Sequence, residues 1–268
     1  MTEIVLAAVG IWSEQFADWQ QFAAIVRGTP VAVGPRPLAE RIPPKDRRRA
    51  PLFVRMGVEV MDQACRMAAV DASSVATVFG SSLGDVEITD YLCSTVAVEP
   101  RSLSPTRFHN SVHNACTGYW SIATGSHCSA NAVSACEHSP AMALLEGAIQ
   151  ASEERVPVVV AFQELRATHA FESIYPAREP LAVALLLMPG EACAQPLGTL
   201  AVELEHGGRA ADPPAPLSFP GLAGNFAASM LELLIAAAES DAYAGRLAVS
   251  ATSALTVAYL PLANQASR

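Results

Sequence analysis

Apolar positions along the chain recur with two different periods. A β-rich apolar run, Ile4–Ile11 with Gly10 near its end, is followed by Phe16, Trp19, Phe22, Ala23 and Val26 at helical spacing, and Gly28 is placed to end that helix. From Leu52 to Ala69 the helical period returns. "SVATVFGSS" (Ser74–Ser82) reads as a short strand entering a glycine turn, and residues 83–125 carry little strand signal, as helices over the top of a sheet would. A strand at about Ala130–Ser134, an abrupt turn and a helix come next. "VPVVVAF" (156–162) is a buried strand, and "LAVALLLM" (181–188) and "LGTLAVELE" (197–205) are two more that could pair with each other.

Strands that alternate with helices and then run consecutively predict a three-layer α/β unit. Two Pro-rich segments punctuate it. "TPVAVGPRPLAERIPPKDRRRAP" marks a surface connection, and "DPPAPLSFPGLAGNF" leads into a tail. The tail holds one helix, "AASMLELLIAAAE", and a strand-like alternation, "RLAVSATSALTVAYLPL". The reading is a main domain over 1–205 with residues 206–268 as an extension packed on it, and no internal repeat.

Composition narrows the class. With 268 residues, 51% apolar and 16% charged, the chain can bury a real core and is not extensively disordered. Its 17 basic against 26 acidic residues make nucleic acid a poor partner. The first residues lack the basic and apolar regions of a signal peptide, and no apolar run reaches the roughly 20 residues that span a bilayer. The six cysteines form no CxxC pair, so free thiols in a reducing, cytoplasmic setting are expected.

Few residues promise chemistry. Cys136 stands between a strand and a helix that begins with Ser139 as N-cap and Pro140 at its first position, a mount used for acyl-transfer nucleophiles. The plainer reading is a small buried residue at a tight turn. His138 adjoins Cys136 but points elsewhere on such a turn. His109 and His113 are spaced for one helix face, yet "HNSVH" lacks the glutamate of HExxH and no third ligand is evident. A polar cluster with Asn110 and Asn114 is therefore expected, and no metal or cofactor. "GSSLG" (80–84) lacks the lysine of a phosphate loop and reads as a turn.

The order β-α-β-α-β-α-β-β, with a cysteine after the middle strand, resembles the N-terminal half of a β-ketoacyl synthase over about residues 1–205. Its pieces are "RIPPKDRRRAP" before a long helix, "VFGSSLGD" after a strand, "FHNSVHN" ahead of the cysteine's strand and "VVVAF" after its helix. The stretch "SPTRFHNSVHNACTGYWSIATGSH" (104–127) is similar to a short branch of that superfamily, the stand-alone ketosynthase-like chain-length factors of aryl-polyene pathways. Such proteins pair with a full ketosynthase, as the chain-length factor of type II polyketide systems does.

The resemblance implies a thiolase-like α-β-α half-unit. It places the nucleophile position at Cys136 or Glu137, depending on one residue of loop. A ketosynthase also needs two histidines in HGTGT-like and NxxxHN-like contexts and a GFGG-like loop. Here only His206 lies beyond residue 169, in "ELEHGGRA". The expectation is a catalytically inactive subunit, with the active synthase as heterodimer partner and an acyl carrier protein as a further contact. The same resemblance points to Phe108, His109, Asn110, His113, Asn114, Tyr119 and Trp120, with Asn131, Val133 and Ser134 of the pairing strand, as partner interface or acyl tunnel. Arg47, Arg48 and Arg49 form either a solvated face or a carrier-protein contact. The alternative is a self-sufficient acyltransferase or thioesterase that uses Cys136.

Overall fold

The computed structural model describes residues 2–32, 36–190, 195–207 and 219–262. Cys193, residues 33–35 of the first Pro-rich connection and residues 212–218 of the second lie outside the described residues.

In chain order the elements are β1 (Thr2–Ser13), α1 (Trp19–Val26), α2 (Pro44–Arg47), α3 (Leu52–Met67), β2 (Ala76–Gly80), α4 (Val86–Val98), α5 (Pro105–His109) and α6 (Ala115–Thr124). Then come β3 (Ala130–Val133), α7 (Ser139–Glu153), β4 (Val158–Glu164), β5 (Leu181–Met188), β6 (Gly198–His206), α8 (Leu231–Glu239), β7 (Tyr243–Ala248) and β8 (Ser253–Pro261). The eight strands make one sheet in the order β3-β2-β4-β5-β1-β6-β8-β7.

β2 pairs in parallel with β3 and with β4, whereas β5 runs antiparallel to both of its neighbours, β4 and β1. The strands 181–188 and 197–205, which could pair by sequence, do not. β5 and β6 flank opposite edges of β1, whose twelve residues are long and apolar enough to take a neighbour on each side. The alternation at the end of the chain is a hairpin, β7–β8, and β8 joins β6 and extends the same sheet.

Helices cover both faces, giving the three-layer α-β-α arrangement. On one face α1, α7 and α8 pack over Val78, Val158, Val160, Val183 and Leu185. On the other, α3 and α6 pack over Ala7, Ala161, Ala182 and Ala184. The small strand residues on the second face let α3 approach closely. A Cβ at Gly10 would run into the Val60 carbonyl of α3, and one at Gly57 into Cys116 of α6. Buried Gln63 of α3 accepts from the Ile11 N–H at 3.0 Å and donates to the Ala17 carbonyl at 2.8 Å, which pins the end of β1 to the helix.

Candidate functional site

The turn between β3 and α7 is an elbow with Cys136 at its apex. Cys136 is exposed and has φ 51°, a left-handed conformation that is uncommon for a residue with a Cβ and needs neighbouring bonds to hold it. The constraint is Ser139. Its hydroxyl accepts from the Ala135 N–H at 2.9 Å and donates to the Cys136 carbonyl at 2.7 Å, while its N–H reaches the same carbonyl at 3.1 Å. This corrects the expected cap. His138 is the N-cap, Ser139 and Pro140 are the first two helical residues, and the serine is spent on the turn instead of on the helix end. Glu137 lies next along the turn, exposed, 3.8 Å from the ring of half-buried His138. No hydrogen bond joins the Cys136 Sγ to another described residue.

Beneath the elbow lies a group the sequence did not announce. Glu164, the last residue of β4, is 1% exposed. Its Oε1 accepts from the Ser82 N–H at 2.5 Å and the Ser82 hydroxyl at 2.6 Å, and its Oε2 from the Ser81 hydroxyl at 3.1 Å; the Leu83 N–H also donates to it. The "GSSLG" turn after β2 is thus a cradle of donors closed around a carboxylate. In sequence Glu164 looks like the polar end of an apolar strand, and its partners lie 82 residues away.

Burial pushes the Glu164 carboxyl up to about 7 against the pull of those donors, and burial likewise raises Asp85, the N-cap of α4, to about 6. The folded protein therefore holds protons that the unfolded chain releases. The stabilisation is fully present below the ordinary carboxylate range and lost as pH rises towards and past 7. Denaturant midpoints are expected to fall between pH 5 and pH 8, with Glu164 contributing on the order of 2 kcal/mol of the difference. A Glu164→Gln variant is expected to flatten the profile, and an unchanged slope counts against the assignment.

The remaining predicted residues divide between a groove, the core and a sheet edge. His109 and His113 do not share a helix face, because α5 stops at His109 and α6 starts only at Ala115. Asn110, buried, accepts from the Tyr119 hydroxyl at 3.3 Å. His109, Asn110, Asn114 and Tyr119 line an open groove of about 650 Å3, whose opposite wall is Ile42, Pro43, Asp46 and Arg49 around α2. His113 turns the other way and donates from Nε2 to the Ser81 carbonyl at 2.8 Å, which fixes the Nε2–H tautomer. Trp120 is fully buried among the α3-side core residues. Of the three arginines, Arg49 reaches the groove, Arg48 is exposed and Arg47 donates to the Leu38 carbonyl.

β3 is an edge strand, and Ala130, Asn131 and Ala132 are exposed. Asn131 donates to Glu146 of α7 at 3.3 Å, Val133 packs partly into the α7-side core, and the Ser134 hydroxyl donates to the Ser82 carbonyl at 2.9 Å. α6 lies against β3; on α5, on α6 and in the turn between them Phe108, Ile122 and Val112 are 64%, 81% and 54% exposed. Among the described residues no cluster of three His, Cys, Asp or Glu side chains is arranged to hold a metal ion, and no helix is long and apolar enough to cross a membrane.

The model of the β-ketoacyl synthase N-terminal domain matches residues 17–215. No curated protein sequence matches at a significant level. Solved structures share the fold across nearly all of both chains. A ketosynthase in complex with its chain length factor from Xenorhabdus doucetiae aligns with TM-score 0.70 and 19% identity, covering 96% of this chain and 99% of that one. A type II polyketide acyl-carrier protein complex with its hexaketide-bound ketosynthase aligns at 0.77 and 11%, covering 97% and 99%. The ishigamide ketosynthase/chain length factor aligns at 0.74 and 15%, covering 98% and 100%.

Proposed function

Because the chain belongs to the family of the β-ketoacyl synthase N-terminal domain, we propose that it is a chain-length-factor subunit with no condensation chemistry of its own. It pairs through β3 with an active β-ketoacyl synthase and walls the pocket in which a carrier-bound acyl chain grows. The observation that carries this reading is the open edge of β3, packed against α6 with its exposed Ile122, together with exposed Phe108 and Val112 just before that helix. An unpaired strand edge and exposed large apolar side chains are both surfaces that a partner covers. The groove between α2 and α5–α6 supplies a channel wall, and Arg48 and Arg49 supply positive charge for an acidic carrier protein.

One observation favours the second reading, an acyltransferase using Cys136: the thiol stands exposed at the apex of a constrained elbow. A single experiment separates the two. Co-expressed with a full-length β-ketoacyl synthase and its carrier protein, the chain is expected to co-purify in a 1:1 complex, and Cys136→Ala is expected to leave product yield and length unchanged. A stable monomer without affinity for the synthase would sink the proposal. Acyl transfer by the isolated chain, lost in Cys136→Ala, would establish the alternative.

A further inference from the structure

We propose that Glu164 is a positioning residue which, through the Ser81–Ser82 turn, fixes where the elbow at Cys136 stands relative to the α5–α6 turn, whose His113 faces Ser81 while its neighbours Val112 and Asn114 line the groove. The connection is short on both sides. The Ser82 N–H and the Ser81 and Ser82 hydroxyls that donate to Glu164 belong to the same two residues whose carbonyls accept from other segments. The Ser82 carbonyl accepts from Ser134, two residues before the elbow apex, and the Ser81 carbonyl accepts from His113, in the turn that joins α5 to α6. The Ser81 hydroxyl also accepts from the Gly84 N–H at 3.0 Å, which closes the turn on itself.

Each of these hydrogen bonds is buried or half-buried, so the turn cannot shift without leaving a donor unmatched. Tyr175 closes the lower side by donating to the Leu165 carbonyl, and Asn225 donates to the Glu179 carbonyl beside it. Three segments far apart in sequence, ending at 83, 113 and 134, are thereby referred to one carboxylate at the end of β4. The elbow and the groove are not otherwise joined by a described side-chain hydrogen bond. Under the proposed function, this makes Glu164 the residue that sets the distance from the elbow to the groove, and with it the length of chain that fits.

Two readouts test the coupling in the isolated chain, independently of that function. The first is the tautomer of His113 in 15N-histidine NMR spectra; the second is the rate at which iodoacetamide alkylates Cys136 in the folded protein. In Glu164→Gln, His113 is expected to lose its fixed Nε2–H form, and the Cys136 rate is expected to change about fivefold, the equivalent of one hydrogen bond. Should Glu164→Gln fail to fold, Ser82→Ala removes one donor only and is expected to move both readouts in the same direction by less. Folded variants with wild-type His113 signals and a wild-type alkylation rate overturn the inference. With the co-expressed synthase, the ratio of longer to shorter products is expected to shift in the same variants. If the wild-type complex does not form, the functional reading fails and the two isolated-chain readouts still decide the inference.

Discussion

Ala132→Pro is expected to abolish pairing with a ketosynthase while leaving the isolated chain folded. The ladder between β2 and β3 dictates the choice of residue. The Thr77 N–H donates to the Ser129 carbonyl at 2.9 Å and the Ser81 N–H to the Val133 carbonyl at 3.2 Å, with Val78 opposite Asn131 and Phe79 opposite Ala132. Residues 129, 131 and 133 therefore turn their backbone groups towards β2, and by the two-residue period Ala130 and Ala132 turn theirs to the open edge. Proline at 132 deletes an outward donor and no inward one. Its φ suits an edge strand, and the exposed Ala132 side chain leaves room for the ring.

A partner strand would meet both the missing donor and the ring, at a cost of ~3 kcal/mol or about a hundredfold in affinity. The stability of the isolated chain is expected to change by no more than about 1 kcal/mol. Size-exclusion chromatography with the synthase and thermal denaturation of the chain alone measure the two effects. Undiminished complex formation by Ala132→Pro would remove β3 from the interface, and Ala132→Val serves as the control that keeps the donor.

The layer architecture was legible because its signals are local. Val158–Phe162 and Leu181–Met188 are short apolar runs, the first rich in β-branched valine, that read locally as buried strands, and the helical spacing of 52–67 needs no context. What the sequence hid is what depends on distant partners. Nothing in "LAVALLLM" and "LGTLAVELE" says that β1 lies between them, since any apolar strand satisfies an apolar edge. The Ser-Pro pair at 139–140 carries a real helix-start signal, yet the helix was displaced by one residue because the strained turn at Cys136 competes for the same hydroxyl. His109 and His113 do not form a helical pair because the chain leaves the helix directly after His109, which frees His113 to face Ser81. Glu164 was invisible for the same reason. A carboxylate closing a strand is ordinary, and only the fold brings it the donors of Ser81–Leu83.

The elbow's position in the fold rests on one missing side chain, and Gly80→Val is expected to be the most damaging substitution in the site. Gly80 ends β2 directly under the first turn of α7. A Cβ there would stand 2.8 Å from the Ala143 Cβ, 3.1 Å from the Ser139 carbonyl and 3.6 Å from the Phe162 Cβ. The Ser139 carbonyl is backbone, and Ser139 is itself tied to Ala135 and Cys136, so α7 cannot give way by a rotamer change. The strand cannot retreat either, because β2 is held in parallel ladders on both sides. Valine is expected to cost ~3 kcal/mol or more, at the upper end for overpacking, and to lower Tm by about 6–12 °C for a chain of this size. Gly80→Ala introduces the same first contact without the two methyls and is expected to cost roughly half as much. Because the lifted helix carries the elbow, the loss of stability is expected to come with faster iodoacetamide alkylation of Cys136 under native conditions. A Gly80→Val protein with wild-type Tm and alkylation rate would show that α7 does not sit on β2 as described.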